Sequence, residues 1–298
     1  SGPYKRALRE LGDLYYALGR SDKASVEYKK VLALLENDKT NPEYILTLFK
    51  WVPICGASTG ADAEDKPVSQ IGYELGEEIK TLLSGINISD FISAGIGVHQ
   101  IASAVMPFYR ALFSGAAIIN GMPWQKMESD LRMFIYDKLM PVFPIEEYVT
   151  RDALAVLAHL NFILGNYDEA IRLTKQVVEV AKAQGREYDN YLHDLAYYQY
   201  DSGDSQSAYE NFEIGYKFLK DEVLRNYRWM TLEERTAYTN MRRGNLDNLP
   251  HYAAITPGDT RYAALGYNAL LFTKGLLLNS TIELTRILQE EGDRESLK

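Results

Sequence analysis

The chain reads as an all-α protein assembled from stacked helix pairs, an α-solenoid, and three observations carry that reading. Apolar residues recur at helical spacing through three separate stretches. In each stretch a glycine (Gly19, Gly165 or Gly203) divides two such helices. Each second helix then carries an early alanine, at Ala24, Ala170 or Ala208, as close helix approach requires. One pair alone leaves an apolar face uncovered, so stacking is what buries it.

The first stretch runs from residue 5 to 36. Its apolar positions are Leu8, Leu11, Tyr15 and Leu18, then Val26, Val31, Leu34 and Leu35. Gly19 ends the first helix, where a left-handed residue costs least, and Ser21 or Asp22 is expected to cap the second. The ordered set Leu8, Leu11, Gly12, Tyr15, Gly19, Ala24 and Tyr28 resembles the tetratricopeptide repeat (TPR), a helix–turn–helix unit of about 34 residues.

A second match falls on Leu154, Leu157, Ala158, Gly165, Tyr167, Ala170 and Val177. Asn166, with Glu169 three residues on, reads as a capping-box-like start to its second helix. A third falls on Leu192, Leu195, Ala196, Gly203, Ala208 and Phe212, with Asp204 as the cap. The resemblance implies a right-handed superhelix whose inner wall is lined by the first helix of each pair.

Between these clear units, residues 39–149 form a divergent helical middle. Helices are expected near 42–51, 68–83, 89–104, 107–119 and 123–139, with a loop over 56–67. The 146 residues from Gly19 to Gly165 equal about four repeat lengths. Degenerate repeats and an irregular insertion both fit. The expected organisation is a unit at 1–38, the middle, two clear units at 150–220, and a helical tail at 221–298.

In the tail, Thr231 and Glu234 form a capping box opening a helix to about residue 243. A turn is expected over 250–258, with Asp259 capping a helix that is apolar nearly all round and so must be covered on several sides. A separate amphipathic helix is expected over 280–291. The run ALGYNALLFTKGLLLNSTIELTRIL resembles the segment preceding the peptidase domain of CHAT proteins, named for a caspase-like domain associated with TPRs. That resemblance implies a recognition arm ending at Lys298, before an α/β cysteine-peptidase domain. The opening Ser1-Gly2-Pro3 reads as a cloning remnant, and the natural start is expected to lie elsewhere.

Charge narrows the partners. Lys plus Arg number 32 against 41 Asp plus Glu, a net charge of −9, opposite to the balance of a nucleic-acid binder. The longest uncharged run, 91–109, contains His99, Gln100 and Pro107 and is too polar for a membrane span. A soluble, cytoplasmic protein without a membrane partner is expected.

Nothing in the residues points to chemistry. Cys55 is the single cysteine and has no histidine within forty residues, whereas a catalytic thiolate needs an imidazole beside it. His99, His159, His193 and His251 lack zinc-ligand spacing. No catalytic residue, metal or cofactor is expected; an enzyme within the chain would require a deep cleft around His99 or Cys55.

Tyrosine is the compositional oddity, at 22 residues. On the repeat template the inner wall carries Asp152, Val156, His159, Phe162 and Ile163, then Asn190, His193, Asp194, Tyr197 and Tyr200. His159, Phe162, His193, Tyr197 and Tyr200 are the candidate protein-binding residues, because flat rings with polar edges give contact area at low entropy cost. They suit an extended peptide or a partner helix rather than the Lys/Asn/Arg clamp of chaperone-binding repeats. The competing expectation is that tail helices pack there. Function is therefore read as a protein-interaction scaffold, the regulatory arm of a CHAT-type peptidase, with a free-standing TPR adaptor as the alternative.

Overall fold

A computed structural model describes residues 2–57, 88–93, 96–114, 123–186, 188–227, 229–242 and 244–290. All regular elements among the described residues are helical, arranged as helix pairs of TPR type. The chain divides into two units, Ser1–Leu173 and Thr174–Lys298.

The first unit holds α1 (Gly2–Ala17), α2 (Ser21–Leu34), α3 (Pro42–Ala57), α4 (Ile88–Ser93), α5 (Val98–Ser114) and α6 (Trp124–Phe134). A π-helical turn, Ile135–Leu139, continues α6, and α7 (Tyr148–Ile163) follows. Helix α8 (Tyr167–Ala183) contains the division between units. The second unit continues with α9 (Asp189–Asp201), α10 (Ser205–Tyr227), α11 (Leu232–Arg242), α12 (Gly244–Ile255) and α13 (Thr260–Glu290).

The repeat signature is visible in the turns. Gly19, Gly165 and Gly203 have φ of +70°, +78° and +94°, the left-handed backbone that glycine adopts without a Cβ penalty. Each donates its N–H back three residues, and the next residue donates back five: Arg20 to Tyr15, Asn166 to Asn161, Asp204 to Gln199. This doubled closure is the Schellman motif, which satisfies carbonyls left open at a helix end. Gly185, at φ +63°, repeats it after α8. Ala24, Ala170 and Ala208 are all completely buried, as a close helix crossing demands.

In the first unit α1 packs on α2, α2 on α3 and α3 on α5. Phe49 of α3 stacks on Phe108 of α5 with ring centroids 4.3 Å apart. A partly buried polar knot joins the first three helices: Arg9 pairs with Asp13 and Glu43, and Lys50 donates to Asp13 at 2.6 Å. The Tyr28 hydroxyl also donates to Asp13, at 2.7 Å. Two cations thus meet two carboxylates, which offsets the cost of burying them.

Several expectations need correcting. Ser21 does not cap α2; Arg20 holds that position and makes no side-chain cap bond. Glu169 makes no capping box with Asn166, and pairs instead with Arg172 and Arg132. The helix expected over 89–104 is two, α4 and α5, with residues 96–97 outside both. Pro107 lies inside α5 rather than opening a helix, because Met106, Phe108 and Tyr109 beside it are buried. The expected helix at 68–83 and most of the loop at 56–67 lie outside the described residues.

In the second unit α9 pairs with α10, and α12 with α13. Thr231 and Glu234 form the expected capping box, each side chain accepting the other's backbone N–H at 3.3 and 2.7 Å. Asp204 caps α10 through Ser207, and Asp259 accepts the Arg261 N–H at 2.9 Å. Pro250 does not start a turn: it sits within α12, carried by the buried Leu249 and Tyr252. Residues 260–290 form one continuous helix, not two, since Ser280 and Thr281 weaken a helix without breaking it. Its inward face buries Tyr262, Leu265 and Ala269, while Tyr267, Leu270 and Leu271 stay exposed, so α13 is not covered all round.

Candidate functional site

Two of the expected contact residues, His159 and Phe162, stand on α7 in the first unit. Their rings are 5.9 Å apart, and Phe162 reaches Tyr167 at 5.6 Å. Both are half-buried. Desolvation holds the His159 imidazole down at about 4, so it is neutral near neutrality. Val156 is buried, and Asp152 is buried with Arg110 as its ion-pair partner. The exposed part of this face is therefore aromatic, edged by a neutral imidazole.

The other three, His193, Tyr197 and Tyr200, stand on α9 in the second unit, and all are half-buried. Here the tail does pack. The Tyr200 hydroxyl shares a 2.9 Å hydrogen bond with Thr256, and its ring meets Tyr252 and Tyr262 edge-on at 5.3 and 5.9 Å. His193 lies edge-on to Phe212 and Tyr252 at 5.4 and 6.4 Å. Tyr197 packs beside Tyr198 and against the same core. These rings join the repeat to α12 and α13 while keeping part of their surface in solvent.

A polar cluster that sequence reading missed sits at the start of α9. Arg242 of α11 donates to Asp189 Oδ1 at 3.0 Å and to Glu222 of α10, and all three side chains are at most 8% exposed. Tyr238 donates to Glu222, and Asn226 donates to the Tyr238 oxygen at 2.8 Å. One guanidinium therefore serves two buried carboxylates. Burial, reinforced by Glu222 and opposed by Arg242, pushes the Asp189 carboxyl above its ordinary range. Its partners come from 53 and 20 residues away from Arg242, so no local spacing could have announced the cluster.

Beside it a narrow recess opens between α9, α10 and α12, lined by Asp189, His193, Asn211, Phe212, Asn245 and Leu246 among others. Asp189 Oδ2 and His193 Nε2 are buried there without a hydrogen-bond partner. Desolvation holds His193, like His159, down at about 4.

The remaining chemical candidates are scattered. His99 is exposed, with its ring 6.0 Å from Phe143, and His251 is exposed on α12. The Cys55 side chain lies outside the described residues. Among the described residues no group of three His, Cys, Asp or Glu side chains could hold a metal ion. None of their helices is long and apolar enough to cross a membrane.

No protein-family model matches the chain, and no curated protein matches it. Solved structures do. The nearly identical TPR-like repeats of a Podosopora anserina protein of kinesin-light-chain type align at 17% identity and TM-score 0.45, over 71% of this chain and 92% of that one. A second structure of those repeats gives 17% and 0.44, over 71% and 93%. MamA protein aligns at 17% identity and TM-score 0.39, over 73% of this chain and 92% of its own.

Proposed function

We propose that the chain is a non-catalytic scaffold that binds a protein partner, and that in the intact protein it is the recognition arm of a CHAT-type cysteine peptidase. The observation that carries the first part is the thrice-repeated helix pair closed by a Schellman glycine. Such pairs present side chains of their first helices as a face that a partner can reach. Half-buried rings on α7 and α9 supply rigid contact area with polar edges.

The peptidase assignment rests on the resemblance of residues 264–288 to the segment that precedes such a domain. The tail packing supports a route for regulation: Tyr200 of α9 is bonded to Thr256 just beyond α12. A partner seated on α9 would load the helices that lead toward the chain end.

The test is the protein continued past Lys298. It should hydrolyse peptides, and replacing the cysteine of a Cys–His dyad should abolish that activity. A continuation with no such dyad contradicts the peptidase assignment and leaves a free-standing adaptor.

A further inference from the structure

We propose that the recess between α9, α10 and α12 is a subsite for one lysine side chain presented by a protein partner, a reading that rests on the scaffold function above. Its floor carries two acceptors one helical turn apart, Asp189 Oδ2 and His193 Nε2, both buried and unpartnered. A buried acceptor left unmade costs the full desolvation of that group, so the geometry calls for a donor. Neutral His193 presents Nε2 as an acceptor when its proton sits on Nδ1.

Charge selects a cation. The adjoining cluster sets Arg242 against both Asp189 and Glu222, leaving one negative charge over in a buried place. The chain as a whole carries −9, which favours approach of a basic partner. Shape then selects the ammonium over the guanidinium. The recess admits a group of about the size of one water molecule, and an ammonium is a compact point charge with three divergent donors, whereas arginine needs a flat fork. Phe212, Leu246 and Leu249 wall the recess and suit the methylenes behind the charge. Asn245, tied to Asn190 at 2.7 Å, stands on α12 at its rim.

The probe is n-butylammonium, titrated into the full chain with n-butanol as its uncharged counterpart, reading the imidazole nitrogen resonances. The expected result is a saturable shift confined to His193 among the four histidines, produced by the ammonium and not by the alcohol. Asp189→Asn should weaken it by about tenfold or more, the scale of a lost charge-assisted bond. Should that variant fail to fold by circular dichroism, Asn245→Phe, which leaves the Arg242 cluster intact, should block the shift instead. An equal response to butanol, no saturable shift, or a shift indifferent to both substitutions overturns the subsite.

Partner capture separates this from the scaffold reading. A captured partner whose affinity ignores Asp189→Asn and Asn245→Phe removes the lysine subsite alone. Ammonium binding with no protein captured by the chain overturns both the scaffold reading and the lysine assignment.

Discussion

A Cβ atom placed on Gly12 would lie 2.5 Å from Cε1 of Tyr28, closer than two carbons can approach. The ring cannot easily yield: Tyr28 is 1% exposed and its hydroxyl is held by Asp13. Gly12→Ala gains about 1 kcal/mol of helix propensity but forces the α1–α2 contact apart, at about 1–3 kcal/mol. A net loss of stability is expected in urea unfolding. Gly215→Ala is the control, because its nearest neighbours would stand 3.7 Å away; it should be neutral or stabilising.

Tyr200 acts as a tether between α9 and the tail. Tyr200→Phe removes only the bond to Thr256 and should cost about 0.5–1.5 kcal/mol. Tyr200→Ala also removes its contacts with Tyr252 and Tyr262 and should lower the melting temperature further. Tyr197→Ala removes contacts with Tyr198 and the same core and should lower the melting temperature as well. A Tyr200→Phe protein as stable as the parent would show the tether to be idle.

Arg242 is the only cation bridging Asp189 and Glu222 among the described residues. Arg242→Leu leaves two carboxylates buried without compensation, and a loss of about 3–5 kcal/mol is expected. Adding Asp189→Asn and Glu222→Gln removes both charges and should restore much of it. Chemical denaturation of the single and triple variants measures the difference.

Acid should weaken the fold in two steps. His159 and His193, held by desolvation at about 4 in the folded chain, return toward about 6.5 when unfolded. The unfolded chain therefore binds more protons between those values, and stability falls as pH drops from about 6.5 to 4. Glu169 sits at about 2, held down first by Arg172 and then by Arg132. Its contribution is present above the ordinary carboxylate range and lost as pH falls from there through about 2. His193→Gln should flatten the upper step and Glu169→Gln the lower, seen as melting temperature against pH.

Much of the helix-pair fold was legible because its determinants are local. Gly19, Gly165 and Gly203 act through their own backbone angles, and Asp204, Thr231 and Asp259 act within one turn. Pro107 and Pro250 misled because a helix-interior proline costs about 3 kcal/mol, a sum that buried neighbours can outweigh. Asp189, Glu222 and Arg242 meet only through tertiary structure. His159, Phe162, His193, Tyr197 and Tyr200 lie on α7 and α9, yet the packing of Tyr200 against Thr256, Tyr252 and Tyr262 depended on where a tail more than fifty residues away would sit.

The scaffold claim is tested most directly by site-specific photocrosslinking in cells. A photoreactive side chain is installed at His159 or Tyr197, and separately at exposed Glu179 and Lys217. The account predicts that each of the first two positions captures a protein and that the latter two do not. Capture of nothing at His159 and Tyr197, or equal capture from all four positions, would contradict it.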